Sequence, residues 1–280
     1  MTNTPDQPAA PERSAAARPI LITTAIIGGC ALLATGTSAA VAAVGAQASS
    51  SGSVAAATSL DTTGITGVEV DASAADFSVA FGDVSEATLE VSGPRSDQWT
   101  LRRDDTDLVV EAPRGIFGFC FGWCPPSEQV VVLTLPLSLE DRPVDLEARL
   151  GAGALRADGA FGDLDLELSA GRMTVEGSAR SLDLEMSAGN FTGDLSDVTE
   201  ASITVSAGSA DTRLTGSAPR EVDLEVSAGS LDLTLPDEPY QVRTEVSAGN
   251  VDNQLRTDSG ARNVIEAEVS AGKIVLRPGR

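Results

Sequence analysis

Four groups of residues in this chain have side chains that chemistry uses. Cys120 and Cys124 stand close together in "GFCFGWC", and around them Phe117, Phe119, Phe121 and Trp123 gather aromatic surface in a chain that is only 4% aromatic. A serine recurs in the triplet "SAG", at Ser169, Ser187, Ser206, Ser227, Ser247 and Ser270. Acids precede these serines in two registers. Two residues before stand Glu167, Glu185, Thr204, Glu225, Glu245 and Glu268; four before stand Asp165, Asp183, Ser202, Asp223, Arg243 and Glu266.

Each group has a limited repertoire. A serine nucleophile needs a base beside it, but the chain has no histidine, and Lys273 is its only lysine. This removes Ser-His-Asp and Cys-His catalysis, the HExxH zinc helix and the P-loop lysine. Every serine also holds the same place in a repeat, so the triplet reads as a turn, and the chain reads as non-enzymatic with no cofactor. The cysteine spacing is wider than the C-x-x-C of redox pairs, and two cysteines without histidine make a poor zinc site. In an oxidising compartment, a local Cys120–Cys124 disulfide that shapes the loop is expected. The acids, if stacked about 4.8 Å apart, form an oxygen ladder suited to hard cations. No compact calcium loop accompanies it, so any Ca²⁺ uptake is expected to be diffuse. The plainer expectation for the same acids is a solvated face that discourages aggregation.

The elements that must position these residues follow from periodicity. The triplets, with a "GAG" version beginning at Gly151, recur about every twenty residues, a period that calls for a stacked array. Before each triplet apolar and acidic residues alternate, as in Leu164, Leu166 and Leu168 against Asp163, Asp165 and Glu167. This is the pattern of a half-buried strand. After each triplet the alternation resumes, as in Leu231, Leu233 and Leu235. The predicted unit is two short strands around a turn. Gly171, Gly189, Gly208, Gly229, Gly249 and Gly272 supply the turn with freedom to adopt positive φ. One such pair cannot bury its apolar face alone, whereas a stack of them encloses a core between two sheets. The predicted fold is all-β, a β-solenoid-like stack of about 20-residue two-strand repeats.

Charge divides the chain. The net charge of -22 belongs entirely to the part from Asp61 onward, because Asp6, Glu12, Arg13 and Arg18 cancel. That part repels nucleic acid. Between Arg18 and Asp61 no residue is charged, and "PILITTAIIGGCALLATGTSAAVAAVGA" over 19–46 is apolar or small throughout. A helix over 20–44 is about 37 Å long, enough to cross a hydrocarbon core of about 30 Å. With Arg13 and Arg18 on its N-terminal side, the positive-inside rule puts the N-terminus in the cytoplasm and the acidic part outside. Two other readings of the segment stay open. "AQA" at Ala46 to Ala48 fits a signal-peptide cleavage site, and Cys30 is a weaker candidate for lipidation. The predicted order is a cytoplasmic tail (1–18), a transmembrane helix or signal anchor (19–46) and a flexible linker (47–60). An N-terminal β region (61–140) with the aromatic cysteine loop (113–127) follows, and then the SAG stack (141–280). The N-terminal β region, with "SAAD" at Ser73 to Asp76 as a degenerate rung, is expected to cap the stack.

The line "VVVLTLPLSLEDRPVDLEARLGAGALRADGAFGDLDLELSAGRMTVEG", with its strand ending in Leu135-Pro136 followed by strand, Gly-turn, strand units, resembles the bacterial putative-adhesin family of unknown-function domains. The likeness runs from about Gly67 to Leu276. It implies a surface-exposed toast-rack-like β stack behind a membrane anchor, with an adhesive role and no catalytic residues to carry over. The aromatic cysteine loop departs from the plainest members. At what reads as a hairpin tip, it serves either as a contact loop for a partner or bilayer edge, or as a hydrophobic cap. The expected partners are a cell-envelope or surface component, or a membrane protein. The alternative function is an accessory sensor or scaffold domain in an envelope stress system.

Overall fold

The computed structural model describes residues 55–113 and 129–279. The segment over 19–46, and the loop side chains Phe117, Phe119, Cys120, Phe121, Trp123 and Cys124, lie outside the described residues. Among the described residues no helix is long and apolar enough to cross a membrane.

The described chain is all-β and solenoid-like. Strands that precede the turns form one sheet, here the leading sheet: β2 (Gly67–Ala72), β6 (Asp107–Glu111), β8 (Val144–Leu150), β11 (Ser181–Met186), β13 (Glu200–Val205), β15 (Glu221–Val226), β17 (Tyr240–Val246) and β19 (Asn263–Val269). Strands that follow the turns form the trailing sheet: β3 (Ala75–Gly82), β7 (Val130–Pro136), β10 (Arg172–Ser178), β12 (Asn190–Ser196), β14 (Ser209–Thr215), β16 (Ser230–Leu235), β18 (Asn250–Asn253) and β20 (Lys273–Pro278). The long β9 (Gly153–Leu168) belongs to both. Its first half pairs with β3 and β10, and its second half pairs with β8 and β11. At the corner of β9, the ring of Phe81 fills the space where a side chain on Gly159 would sit, and it packs on Phe161 at 5.8 Å. Only glycine permits that approach.

Within each sheet these strands run parallel to one another, in registers that place like on like. Leu164, Leu182, Ala201, Val222 and Ile265 line up in one inward row, and Leu168, Met186, Val205, Val226 and Val269 in another. Every one is buried. Each fully buried leucine or valine contributes about 1.5–3 kcal/mol through removal from water, so the repeated inward rows hold the sheets together. The predicted two-strand unit is therefore the unit of packing.

The turns are of two kinds. Gly171, Gly189 and Gly208 have φ of 108, 109 and 95°, as the sequence led us to expect. Gly229, Gly249 and Gly272 do not have positive φ. There the requirement is space: a β-carbon on Gly229 would stand 2.7 Å from a methyl of Val205 and 2.8 Å from the carbonyl oxygen of Gly208. The degenerate rung at Ser73 to Asp76 is real, with Ala75 level with Gly153.

The stack order departs from sequence order at both ends. Read along the stack, the rungs are β6/β7, β2/β3, β8/β9, β9/β10, β11/β12, β13/β14, β15/β16, β19/β20 and β17/β18. At the first end, antiparallel strands extend both sheets. β4 (Ala87–Ser92) adds to β7 and β1 (Ala55–Leu60) adds to β4, while β5 (Thr100–Asp104) adds to β6. A 3-10 turn at Ser96–Gln98 brings Trp99 over Phe77, with ring centroids 6.1 Å apart. This is the expected cap. Residues 55–60, assigned to the linker from sequence, instead form β1, because its backbone finds a ladder along β4. At the other end, among the described residues, the cover is a strap at one corner. Tyr240 donates its N–H to Arg256 and accepts from Asp258, and Leu255 is buried beneath.

Candidate interaction faces

The predicted carboxylate ladder exists on the outer face of the leading sheet. One register runs Glu69, Glu147, Asp165, Asp183, Ser202, Asp223, Glu266, Arg243; its neighbour runs Asp71, Arg149, Glu167, Glu185, Thr204, Glu225, Glu268, Glu245. Sequence order puts Arg243 and Glu245 ahead of Glu266 and Glu268. The inserted β19 reverses them, so Glu266 and Glu268 sit inside the stack and Arg243 and Glu245 at its end.

Electrostatics along the ladder vary with what each acid meets. Burial raises the Asp183 carboxyl above the ordinary aspartate range, and the Asp165 charge adds to this. Asp223 is raised by burial, then by Glu221 and Glu266. Burial also raises Glu147, with Glu69 and Asp165 adding and Arg149 opposing. Arg149 is the base that composition alone did not flag. It pairs with Glu147 and lies 3.4 Å from Glu69 and 3.6 Å from Glu167. At the far margin Arg180 and the Ser181 hydroxyl hydrogen-bond Asp163 and hold its carboxyl below the ordinary range. These pairs are all more than a third exposed, so each contributes under about 1 kcal/mol. Among the described residues no group of three or more His, Cys, Asp or Glu side chains could hold a metal ion.

The trailing sheet carries mixed charge. Its outer face has an open groove of about 280 Å³ lined by Asp76, Ser78, Arg156, Arg172 and Thr174 on neighbouring strands. The SAG serines are where the repeat puts them, in stacked turns, with Ser187 donating its N–H to Leu168 and Ser206 to Met186.

Both ends of the aromatic cysteine loop are described. Ala112 donates to Asp71, and Gln129 accepts from Asp76, each at 2.9 Å. The segment therefore leaves and returns where other rungs carry their triplet. It is not the hairpin tip that the sequence suggested: β6 pairs with β2 and β5, β7 pairs with β3 and β4, and the segment joins one sheet to the other.

No family model matches the chain, and no curated protein matches it. Solved structures do. A putative cell adhesion protein from Clostridium sporogenes is 12% identical, with 81% of this chain and 100% of that chain covered at a TM-score of 0.41. A putative adhesin from Bacteroides fragilis is 11% identical, covering 80% and 97% at 0.41. Another from Parabacteroides distasonis is 13% identical, covering 80% and 96% at 0.42. At these TM-scores the overlap assigns neither a site nor a function to this chain.

Proposed function

We propose that this protein is a membrane-anchored, extracytoplasmic adhesion or envelope-interaction protein that works by presenting surfaces, without catalysis. The observation that carries the reading is the register of the leading sheet, which sets carboxylates in two rows along most of the stack, interrupted at Arg149, Ser202 and Thr204. Such rows suit broad contact with a surface better than they suit a reaction, which needs a few groups with divergent pKa values converging in a cleft. The apolar, uncharged 19–46 segment supplies the anchor, and export of the acidic part supplies the location.

The test is sedimentation of the full-length protein, carried in vesicles, with isolated cell envelopes. Binding above that of empty vesicles supports the reading. Absence of binding, with the protein intact in the vesicles, refutes it. A variant with Phe119, Phe121 and Trp123 changed to serine then reports whether the aromatic loop takes part.

A further inference from the structure

The far end of the stack is open along β17. Ser247 donates its N–H to Val269, and Val246 is level with Val269. In a parallel ladder alternate residues bond to opposite sides, so the N–H and C=O groups of Val242, Thr244 and Val246 point away from β19. Tyr240 follows the same alternation and spends its outward groups on the strap at Arg256 and Asp258. Beyond the strap nothing among the described residues pairs with this edge. The same residues turn their side chains to the core side, level with buried Ile265, Ala267 and Val269, yet Val246 is 44% exposed because no further rung covers it. Natural proteins rarely leave such an edge without a cover or a use.

The edge is complementary to itself. Val242-Arg243-Thr244-Glu245-Val246, laid antiparallel on a second copy, sets Thr244 opposite Thr244, Val242 opposite Val246, and Arg243 opposite Glu245 on both sides. The threonine and valine positions fall on hydrogen-bonded pairs, where the free backbone groups already point. Arg243 and Glu245 fall on the non-hydrogen-bonded pairs, where side chains approach most closely. We infer that a second copy of this chain docks end to end on β17 and continues the leading sheet. In such a twofold pair the β1 ends point in opposite directions, which fits two copies rooted in facing membranes. This deepens the proposed adhesive function and rests on it for the anchor. A short edge binds weakly, so many copies on each surface would supply the strength.

The experiment uses the full-length protein in phosphatidylcholine vesicles at about 0.15 M salt, where long-range repulsion between the acidic faces is screened. Flotation first confirms that the protein stays with the vesicles, and light scattering then follows clustering. Wild-type vesicles are expected to cluster. Arg243→Glu and Glu245→Arg each set like charges opposite one another, and each is expected to slow clustering about tenfold. Mixing the two variant populations restores the opposite-charge pairs and the rate. Thr244→Pro removes an outward donor that the stack itself does not use, so it should abolish clustering while leaving the circular dichroism unchanged. Floating wild-type vesicles that do not cluster, or single-charge variants that cluster like wild type, overturn the pairing. Failure to float refutes the anchor alone. The same variants are then compared by sedimentation velocity, where loss of a wild-type dimer in each single variant and its return on mixing support the pairing, and any other pattern overturns it.

Discussion

The backbone N–H of Asn190 lies 2.9 Å from the carbonyl oxygen of Gly171, and a β-carbon on Gly189 would run into that same oxygen. The turn glycine thus protects the hydrogen bond that ties one rung to the next. With φ of 109° at Gly189, an alanine there is strained as well as crowded. Gly189→Ala is expected to cost about 2 kcal/mol in urea denaturation. Gly260→Ala, where a β-carbon meets nothing closer than 3.5 Å, is expected to change stability by less than about 0.5 kcal/mol.

Thr212 sits inside the core at 0% exposure, and its hydroxyl has no hydrogen-bond partner. A buried hydroxyl without a partner forfeits its hydration for nothing. Thr212→Val is expected to raise stability by about 1 kcal/mol, visible as a higher urea midpoint at unchanged slope.

Two aspartates on the leading sheet should respond oppositely to acid. The folded Asp183 carboxyl lies above its ordinary value of 3.8, so the folded state holds that proton more tightly. Stability from this group is greatest below the ordinary value and falls as pH rises through the folded one. Asp183→Asn should therefore stabilise at pH 7, by at most about 0.5 kcal/mol after solvent screening, with the gain fading toward pH 4. Asp163, held below 3.8 by Arg180 and Ser181, contributes stability above that value that is lost as pH falls through its folded pKa. Asp163→Asn should destabilise at pH 7 and converge with wild type in acid. Denaturation curves at several pH values separate the two signs.

Trp99 is 7% exposed against Phe77, and its indole N–H has no partner. The ring counts and the N–H does not. Trp99→Phe is expected to cost under about 1.5 kcal/mol, and Trp99→Ala about 3 kcal/mol or more, by loss of the cap's largest side chain. Thermal unfolding of both variants checks this.

The repeat was legible because its signal is local. "LDLELSAG" states strand, face and turn within eight letters, and the stacked carboxylate registers follow from that alone. What escaped were choices made between distant segments. Nothing in "EVSAGN" and "EVSAGK" says which rung lies outermost, since both fit the same neighbour. β1, written Ala-Ala-Ala-Thr-Ser-Leu, has no alternation to read, and it becomes a strand only because β4 offers it an edge. The two turn geometries share one triplet for the same reason: the preceding rung decides whether glycine is needed for φ or for room.

The placement of β19/β20 between β15/β16 and β17/β18 also fixes an order of assembly. A stack whose rungs followed the sequence could be completed one rung at a time as the chain emerged. Here β17 and β18 have no native neighbour until Asn263–Val269 and Lys273–Pro278 arrive to sit beneath them. These two strands act as a keystone: the distal rung reaches its native place only once they have been made.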